Sequence, residues 1–164
     1  MVEAPRLDMT SLSPEAYRHL LQLEGLIARQ IEPTLYHLIK LRASQINGCA
    51  YCLAMHTDQA LHHGETPERI VSLDAWEESP LYTDKERAAL AWTEELTLSA
   101  DSGASRAAFD GLKAHFSDEE IGWLILAAAQ INTWNRLAIS TRAHYDRAAF
   151  AVAGALHEKA PEPA

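Results

Sequence analysis

The chain has 164 residues, of which 48% are apolar and 23% are charged, and it carries a formal net charge of −9 at pH 7. This length and composition are typical of one globular domain and argue against a disordered chain. An acidic chain repels phosphate groups and anionic lipids, so we expect no nucleic acid and no membrane among its partners. Because it has no apolar run of about 18 residues and no signal-peptide pattern at its start, we expect a cytoplasmic protein.

Three helices are predicted in the first part of the chain, over residues 13–28, 33–46 and 49–63. The first opens with Ser13 as a cap and Pro14 at the first helical position, where these residue types are preferred. Apolar residues then recur at helical spacing in the first two segments. The turn dipeptide Asn47-Gly48 separates the second helix from the third, and Asn47 is predicted to cap the third.

The second half of the chain also predicts helices, most of which start at a Ser, Thr or Asp cap. The segments are TPERIVSL at 66–73, KERAALAWTEELTLSA at 85–100, SRAAFDGLKAHF at 105–116 and IGWLILAAAQINTWNRLAIS at 121–140. The last segment has few charges and is predicted to be central, and a final helix is expected up to about Leu156. Since no alternating strand pattern occurs, we predict an all-α bundle of about six to eight helices, with an N-terminal arm at 1–12, the helical domain at 13–156 and a flexible tail at 157–164.

The stretch QINGCAYCLAMHTD, residues 45–58, holds both cysteines of the chain. On one helix, Cys49, Cys52 and His56 fall at positions i, i+3 and i+7, so they share a face. The two sulfurs can then approach closely enough for a disulfide, and the imidazole can reach the Cys52 thiol directly or through one water. The helix N-terminus favours Cys49 as the more acidic thiol, whereas the nearby histidine favours Cys52, and the sequence does not decide between them.

Other interpretations of these residues stay open at this point. Two small cysteines can be buried in a helix without any reactivity. Cys49, Cys52, His56 and His37 together would make a Cys₂His₂ set that zinc accepts, although structural C-x-x-C zinc sites usually lie on a turn. His56 and His37 can also be packing residues, and His62 and His63 are interpreted as surface residues at a helix C-terminus.

The segment LIKLRASQINGCAYCLAMHTDQALHHG, residues 38–64, resembles the core of the alkylhydroperoxidase D-like proteins in the carboxymuconolactone decarboxylase superfamily. Its pattern S-Q-x-N-G-C-x-x-C-x-x-x-H is far narrower than C-x-x-C alone, and the likeness extends over about Leu35 to Ser140. The resemblance implies an all-helical alkylhydroperoxidase D-like fold that assembles as a homotrimer or hexamer. It also implies chemistry that needs no metal and no organic cofactor.

The resemblance further implies a peroxiredoxin-type alkylhydroperoxidase, in which Cys52 attacks a hydroperoxide and Cys49 resolves the resulting sulfenic acid as a disulfide. His56 would belong to a proton relay, and an unidentified thiol reductant would reopen the disulfide. The family's relay commonly includes a glutamate twelve residues before the first cysteine, and this position is His37 here. Histidine can also relay a proton and titrates nearer neutrality, so we expect His37 to serve with a different pH optimum.

Two alternative functions accompany this interpretation. The first is a carboxymuconolactone decarboxylase-like enzyme that acts on a small lactone acid. Those decarboxylases do not rely on the cysteine pair, so the presence of Cys49 and Cys52 favours the redox branch. The second alternative is a non-catalytic helical oligomer that binds a metal or senses redox state through its Cys and His residues.

Overall fold

The computed structural model describes residues 3–148, which fold as an all-α bundle and confirm the predicted fold class. A 3₁₀ turn at Leu73–Ala75 follows the fifth helix. The α-helices are α1 Met9–Leu12, α2 Pro14–Ala28, α3 Pro33–Asn47, α4 Ala50–His62, α5 Pro67–Ser72, α6 Asp84–Thr97, α7 Ser99–Ser102, α8 Arg106–Lys113 and α9 Asp118–Thr141. The expected tail and most of the expected final helix lie outside the described residues. No helix within 3–148 is long and apolar enough to cross a membrane.

Several helix starts follow the capping residues of the sequence. Both α6 and α9 begin with a capping box, in which Thr83 pairs with Glu86 and Ser117 with Glu120. At α2, by contrast, the Ser13 side chain makes no capping hydrogen bond. Of the two predicted start signals of this helix, only Pro14 at the first helical position is in place. The short helix α1 lies within the segment expected to be an arm.

The turn between α3 and α4 sets the position of the cysteines. Gly48 has a φ of 66°, in the left-handed region that glycine adopts without strain, and its N–H bonds back to α3. The prediction that Asn47 caps α4 is wrong, because Asn47 is the last residue of α3. The N-cap of α4 is Cys49, whose Sγ accepts the backbone N–H of Cys52 at 3.4 Å.

The interior of the bundle is built around α3 and α9. Nine residues of α3 are buried, and the helix packs against α4, α6 and α9. The helix predicted to be central, α9, packs against α2, α3, α4, α6 and α8. One apolar cluster lies where α3, α4 and α9 meet and contains Ala43, Cys49, Cys52 and Ile131, with Trp134 packed against it. Both cysteines are therefore part of the core.

Candidate redox site

Cys49 and Cys52 form a reduced pair at the start of α4. Each cysteine is about 1% exposed, and neither is in a disulfide. The two sulfur atoms lie 2.9 Å apart and share a hydrogen bond. The pair can therefore close to a disulfide with little movement of the backbone.

The two thiols differ in acidity because they share this hydrogen bond. The bond from Cys52 is the largest cause that lowers the pKa of Cys49, to about 7, and the Cys52 N–H and the Asn135 amide add to it. The same bond, together with burial, raises the pKa of Cys52. Cys49 is consequently the more acidic thiol of the pair, and the negative charge develops on it as the pH rises through about 7 while Cys52 keeps its proton. The sequence left open which thiol is more acidic; it is Cys49, mainly because of the hydrogen bond between the sulfurs, with a smaller contribution from the backbone N–H groups at the start of α4.

A buried amide network fixes the pair from the side of α9. Asn135 is fully buried and donates from Nδ2 to the Ser44 hydroxyl at 3.0 Å. Its Oδ1 accepts from Asn47 Nδ2 at 2.8 Å, and Asn47 also donates to Asn132 Oδ1 at 2.9 Å. These bonds tie the end of α3 to the middle of α9, directly beside the sulfurs. The Asn135 amide favours the thiolate form of either cysteine.

The histidines form a row of rings that leads from the interior to the surface. His56 is buried, and its ring hydrogen-bonds to Gln59 at 2.8 Å; within residues 3–148 this ring makes no hydrogen bond to either sulfur. The centroid of the His56 ring lies 6.1 Å from that of His37, and His37 stacks on His63 at 5.1 Å. His63 is exposed, as the sequence indicated, but the stacking with His37 was not foreseen.

Burial keeps the two inner histidines neutral. Desolvation lowers the pKa of His37 to about 4, with smaller contributions from His63 and Lys40, and it lowers the pKa of His56 well below its usual value. His37 Nδ1 is buried and finds no hydrogen-bond partner within the described residues. Both rings are therefore neutral at pH 7, each with one nitrogen that can accept a proton.

We expect acid to destabilise the fold through His37. The unfolded chain protonates this ring below about pH 6.5, whereas the folded chain resists protonation until about pH 4. Stability that is present above pH 6.5 is therefore lost as the pH falls towards 4, up to about 3 kcal/mol from this group. Urea unfolding at several pH values should show a smaller loss for His37→Gln, and the exposed control His115→Gln should retain the full loss. Equal loss in all three chains would contradict this role of His37.

Sequence reasoning missed a charged pair beneath the cysteines. Lys40 on α3 is fully buried, and its Nζ lies 2.6 Å from Oε1 of Glu24 on α2. Glu24 also accepts hydrogen bonds from the Tyr36 hydroxyl and, at 2.7 Å, from Trp134 Nε1. A lysine inside the apolar run LIKL was the available signal. Its partner could not be found by spacing along one helix, because it comes from another.

The set proposed for zinc is not assembled. Within residues 3–148 no group of three or more His, Cys, Asp or Glu side chains is arranged to hold a metal ion. The ring centroids of His37 and His56 are 6.1 Å apart, and the His56 ring hydrogen-bonds to Gln59. The residues present therefore do not fit the Cys₂His₂ site.

A cleft of about 270 Å³ opens beside Cys49, not Cys52. Its walls come from the start of α4, the end of α9 and the segment after α9, and include Tyr51, Ile139, Arg142 and His144. Tyr51 packs edge-on against Tyr145, whose hydroxyl donates to Asp58 at 2.8 Å, so the segment after α9 is fastened over α4. Cys49 is thus the cysteine that borders the cleft, although both cysteines are equally buried.

Comparison with known proteins gives a consistent family. A model of the carboxymuconolactone decarboxylase family matches residues 14–95. The uncharacterized protein YdfG of Bacillus subtilis (strain 168) is 36% identical over 136 residues, covering 82% of this chain and 92% of YdfG. A crystal structure from Agrobacterium tumefaciens, of a protein of unknown function proposed as the antioxidant defence protein AhpD, is 43% identical with a TM-score of 0.85, covering 87% of this chain and 99% of that one. The debrominase Bmp8 shares the fold at 22% identity and a TM-score of 0.72, over 87% of this chain and 77% of Bmp8.

Proposed function

Because the chain belongs to the carboxymuconolactone decarboxylase family and its AhpD-like fold holds a cysteine pair, we propose that it is a thiol-dependent peroxidase. The observation that carries the proposal is the reduced pair Cys49 and Cys52, with sulfurs 2.9 Å apart and one shared proton. A thiolate beside a second thiol is the arrangement that reduces a hydroperoxide and then closes to a disulfide. The 43% identical AhpD candidate from Agrobacterium supports this assignment.

The reaction begins with the proton that the two sulfurs share. Its transfer from Cys52 to Cys49 makes Cys52 the thiolate, which attacks the outer oxygen of the hydroperoxide. The O–O bond breaks, Cys52 becomes a sulfenic acid, and the alkoxide leaves and takes up one proton from the relay. The Cys49 thiol then displaces the hydroxyl of the sulfenic acid, so that water and the Cys49–Cys52 disulfide form.

The row of histidines supplies the proton that the alkoxide needs. His56 and His37 are neutral at pH 7, so they conduct a proton from one ring nitrogen to the other rather than store one. The exposed His63, stacked on His37, connects the row to solvent. The hydrogen bond from Nδ1 to Gln59 fixes the ring of His56, so its other nitrogen is the one that accepts and returns the proton in this proposal.

An external thiol reductant returns the enzyme to its dithiol form. In this proposal its thiolate attacks the Cys49 sulfur, which borders the cleft, and releases Cys52 as the leaving thiolate. We propose that the enzyme is a homotrimer or hexamer. We also propose that it works in the cytoplasm, where thiol reductants are available. No metal or organic cofactor takes part in these steps.

Stoichiometric oxidation tests the proposed function. The reduced chain, freed of reductant, should convert about one equivalent of an alkyl hydroperoxide to the alcohol and lose two thiols by titration. Mass analysis of peptides should place one disulfide between Cys49 and Cys52. If the hydroperoxide and both thiols stay unchanged, the peroxidase assignment fails, and chemistry on a small lactone acid becomes the function to examine.

A further inference from the structure

Lys40 is the one fully buried cation that the described residues place at the redox site. A lysine rarely loses all contact with water, because moving an ammonium group into the interior is costly unless a partner offsets the cost. Burial accordingly lowers the pKa of Lys40, and the negative charges of Glu24 and Cys52 oppose that shift. The Glu24 carboxylate, whose Oε1 lies 2.6 Å from Nζ, is the counter-charge that offsets this cost.

Glu24 is itself held in place by three groups from two other helices. The Tyr36 hydroxyl and Lys40 approach Oε1 from α3, and Trp134 Nε1 of α9 donates to Oε2 at 2.7 Å. Lys40 also lies over the Tyr36 ring, 4.8 Å from its centroid. Since Trp134 packs against the cluster that contains both cysteines, this carboxylate and its lysine are built into the wall of the redox site.

We propose that Lys40, held by Glu24, is a positioning residue that stabilises negative charge on the Cys52 sulfur when Cys52 attacks the hydroperoxide. The inference rests on the proposed function and adds a residue to it. In the resting pair the charge lies on Cys49, so a thiolate on Cys52 needs a cation of its own. Lys40 on α3 supplies one.

The surroundings of Cys52 contain no other cation that offsets this charge within the described residues. The groups that interact with it are Cys49, Lys40, Tyr17, Tyr51 and the Asn135 amide. A charge on Cys52 raises the pKa of both Tyr17 and Tyr51, so neither tyrosine helps to carry it. Lys40 and the Asn135 amide both favour the thiolate of Cys52.

The same ammonium group keeps the histidine row neutral. Its charge lowers the pKa of both His37 and His56, after the larger effect of burial on each. One buried cation therefore acts on both halves of the chemistry: it favours the anion at sulfur and disfavours a cation on the relay rings. Loss of Lys40 should raise the pKa of Cys52 and of both histidines together, so that the sulfur and the rings all hold protons more tightly.

The experiment measures the acidity of Cys52 alone. In a Cys49→Ser background, the ultraviolet absorbance of the thiolate is followed against pH for three chains: no further change, Lys40→Met, and the exposed-lysine control Lys85→Met. We expect Lys40→Met to raise the thiol pKa by about one unit or more, with about tenfold less thiolate at neutral pH, and Lys85→Met to leave it unchanged. A titration curve for Lys40→Met that coincides with that of its background would overturn the proposal.

A second variant keeps the test valid if Lys40→Met alone does not fold. Glu24→Gln together with Lys40→Met removes both charges and leaves no unpaired buried ion, and circular dichroism checks that it is folded. It should show the same rise in the Cys52 pKa. The titration needs no peroxide, so a lysine effect without hydroperoxide turnover would refute only the proposed function, whereas turnover without a lysine effect would refute only the role of Lys40.

Discussion

Replacing Cys52 with serine is expected to lower turnover of an alkyl hydroperoxide, with a dithiol as reductant, by on the order of 10³-fold or more. Serine has nearly the same shape as cysteine but is not ionised near neutral pH and cannot form a sulfenic acid. The reduced pair is buried within the cluster of Ala43 and Ile131, so the substitution should leave the fold intact. A steady-state assay of the native chain and Cys52→Ser is the measurement, and equal rates would contradict the assignment.

Cys49→Ser separates the roles of the two sulfurs. This chain should also lose repeated turnover, but it should consume one equivalent of hydroperoxide and hold a sulfenic acid on Cys52, which dimedone traps. The opposite outcome is a distinct result: a sulfenic acid on Cys49 in the Cys52→Ser chain would make Cys49 the attacking thiol. That order deserves a direct test because the resting charge lies on Cys49 and the cleft borders it.

The helices and their caps could be read from the sequence because they depend on neighbours in the chain. The stretch predicted over 33–46 is α3, Pro33–Asn47, and the predicted cap Ser117 starts α9 with a capping box. The position of Cys49 at the start of α4 was harder to predict from the sequence. Spacing put it on the helical face with Cys52, whereas the left-handed Gly48 makes it the N-cap, where its sulfur receives an N–H. The N–H bond at this position adds to the hydrogen bond between the sulfurs in lowering the pKa of Cys49.

The ion pair of Lys40 and Glu24 could not be derived from the sequence. Spacing rules relate side chains on one helix, and these two residues come from α3 and α2. The family resemblance implies a carboxylate at position 37, where this sequence has His37, so the sequence predicts a chemically altered relay. The structure brings a carboxylate to the same core from α2, which only the packing of three helices determines. The stacking of His63 on His37 depends in the same way on how α4 lies against α3.

Glu24→Gln is expected to destabilise the fold by about 3 kcal/mol or more. The change leaves the Lys40 ammonium buried without its counter-charge, and breaking one side of a buried pair costs far more than the pair itself contributes. Lys40→Met should cost less, because Glu24 keeps its hydrogen bonds from Tyr36 and Trp134 and is partly exposed. Urea unfolding gives both free energies if the slope with denaturant is unchanged.

The double variant Glu24→Gln/Lys40→Met should then be more stable than the sum of the two single changes predicts, with a coupling of about 2 kcal/mol. The matched control is the exposed pair of Lys85 and Glu120, 3.3 Å apart with both side chains about half exposed. Its cycle, with Lys85→Met and Glu120→Gln, should give a coupling below about 1 kcal/mol, since water screens such pairs. Additive effects at Glu24 and Lys40 would mean that the two charges do not depend on each other. If stability returns in the double variant while the Cys52 thiol stays weakly acidic, the pair is retained for the chemistry of the sulfur and not for the fold.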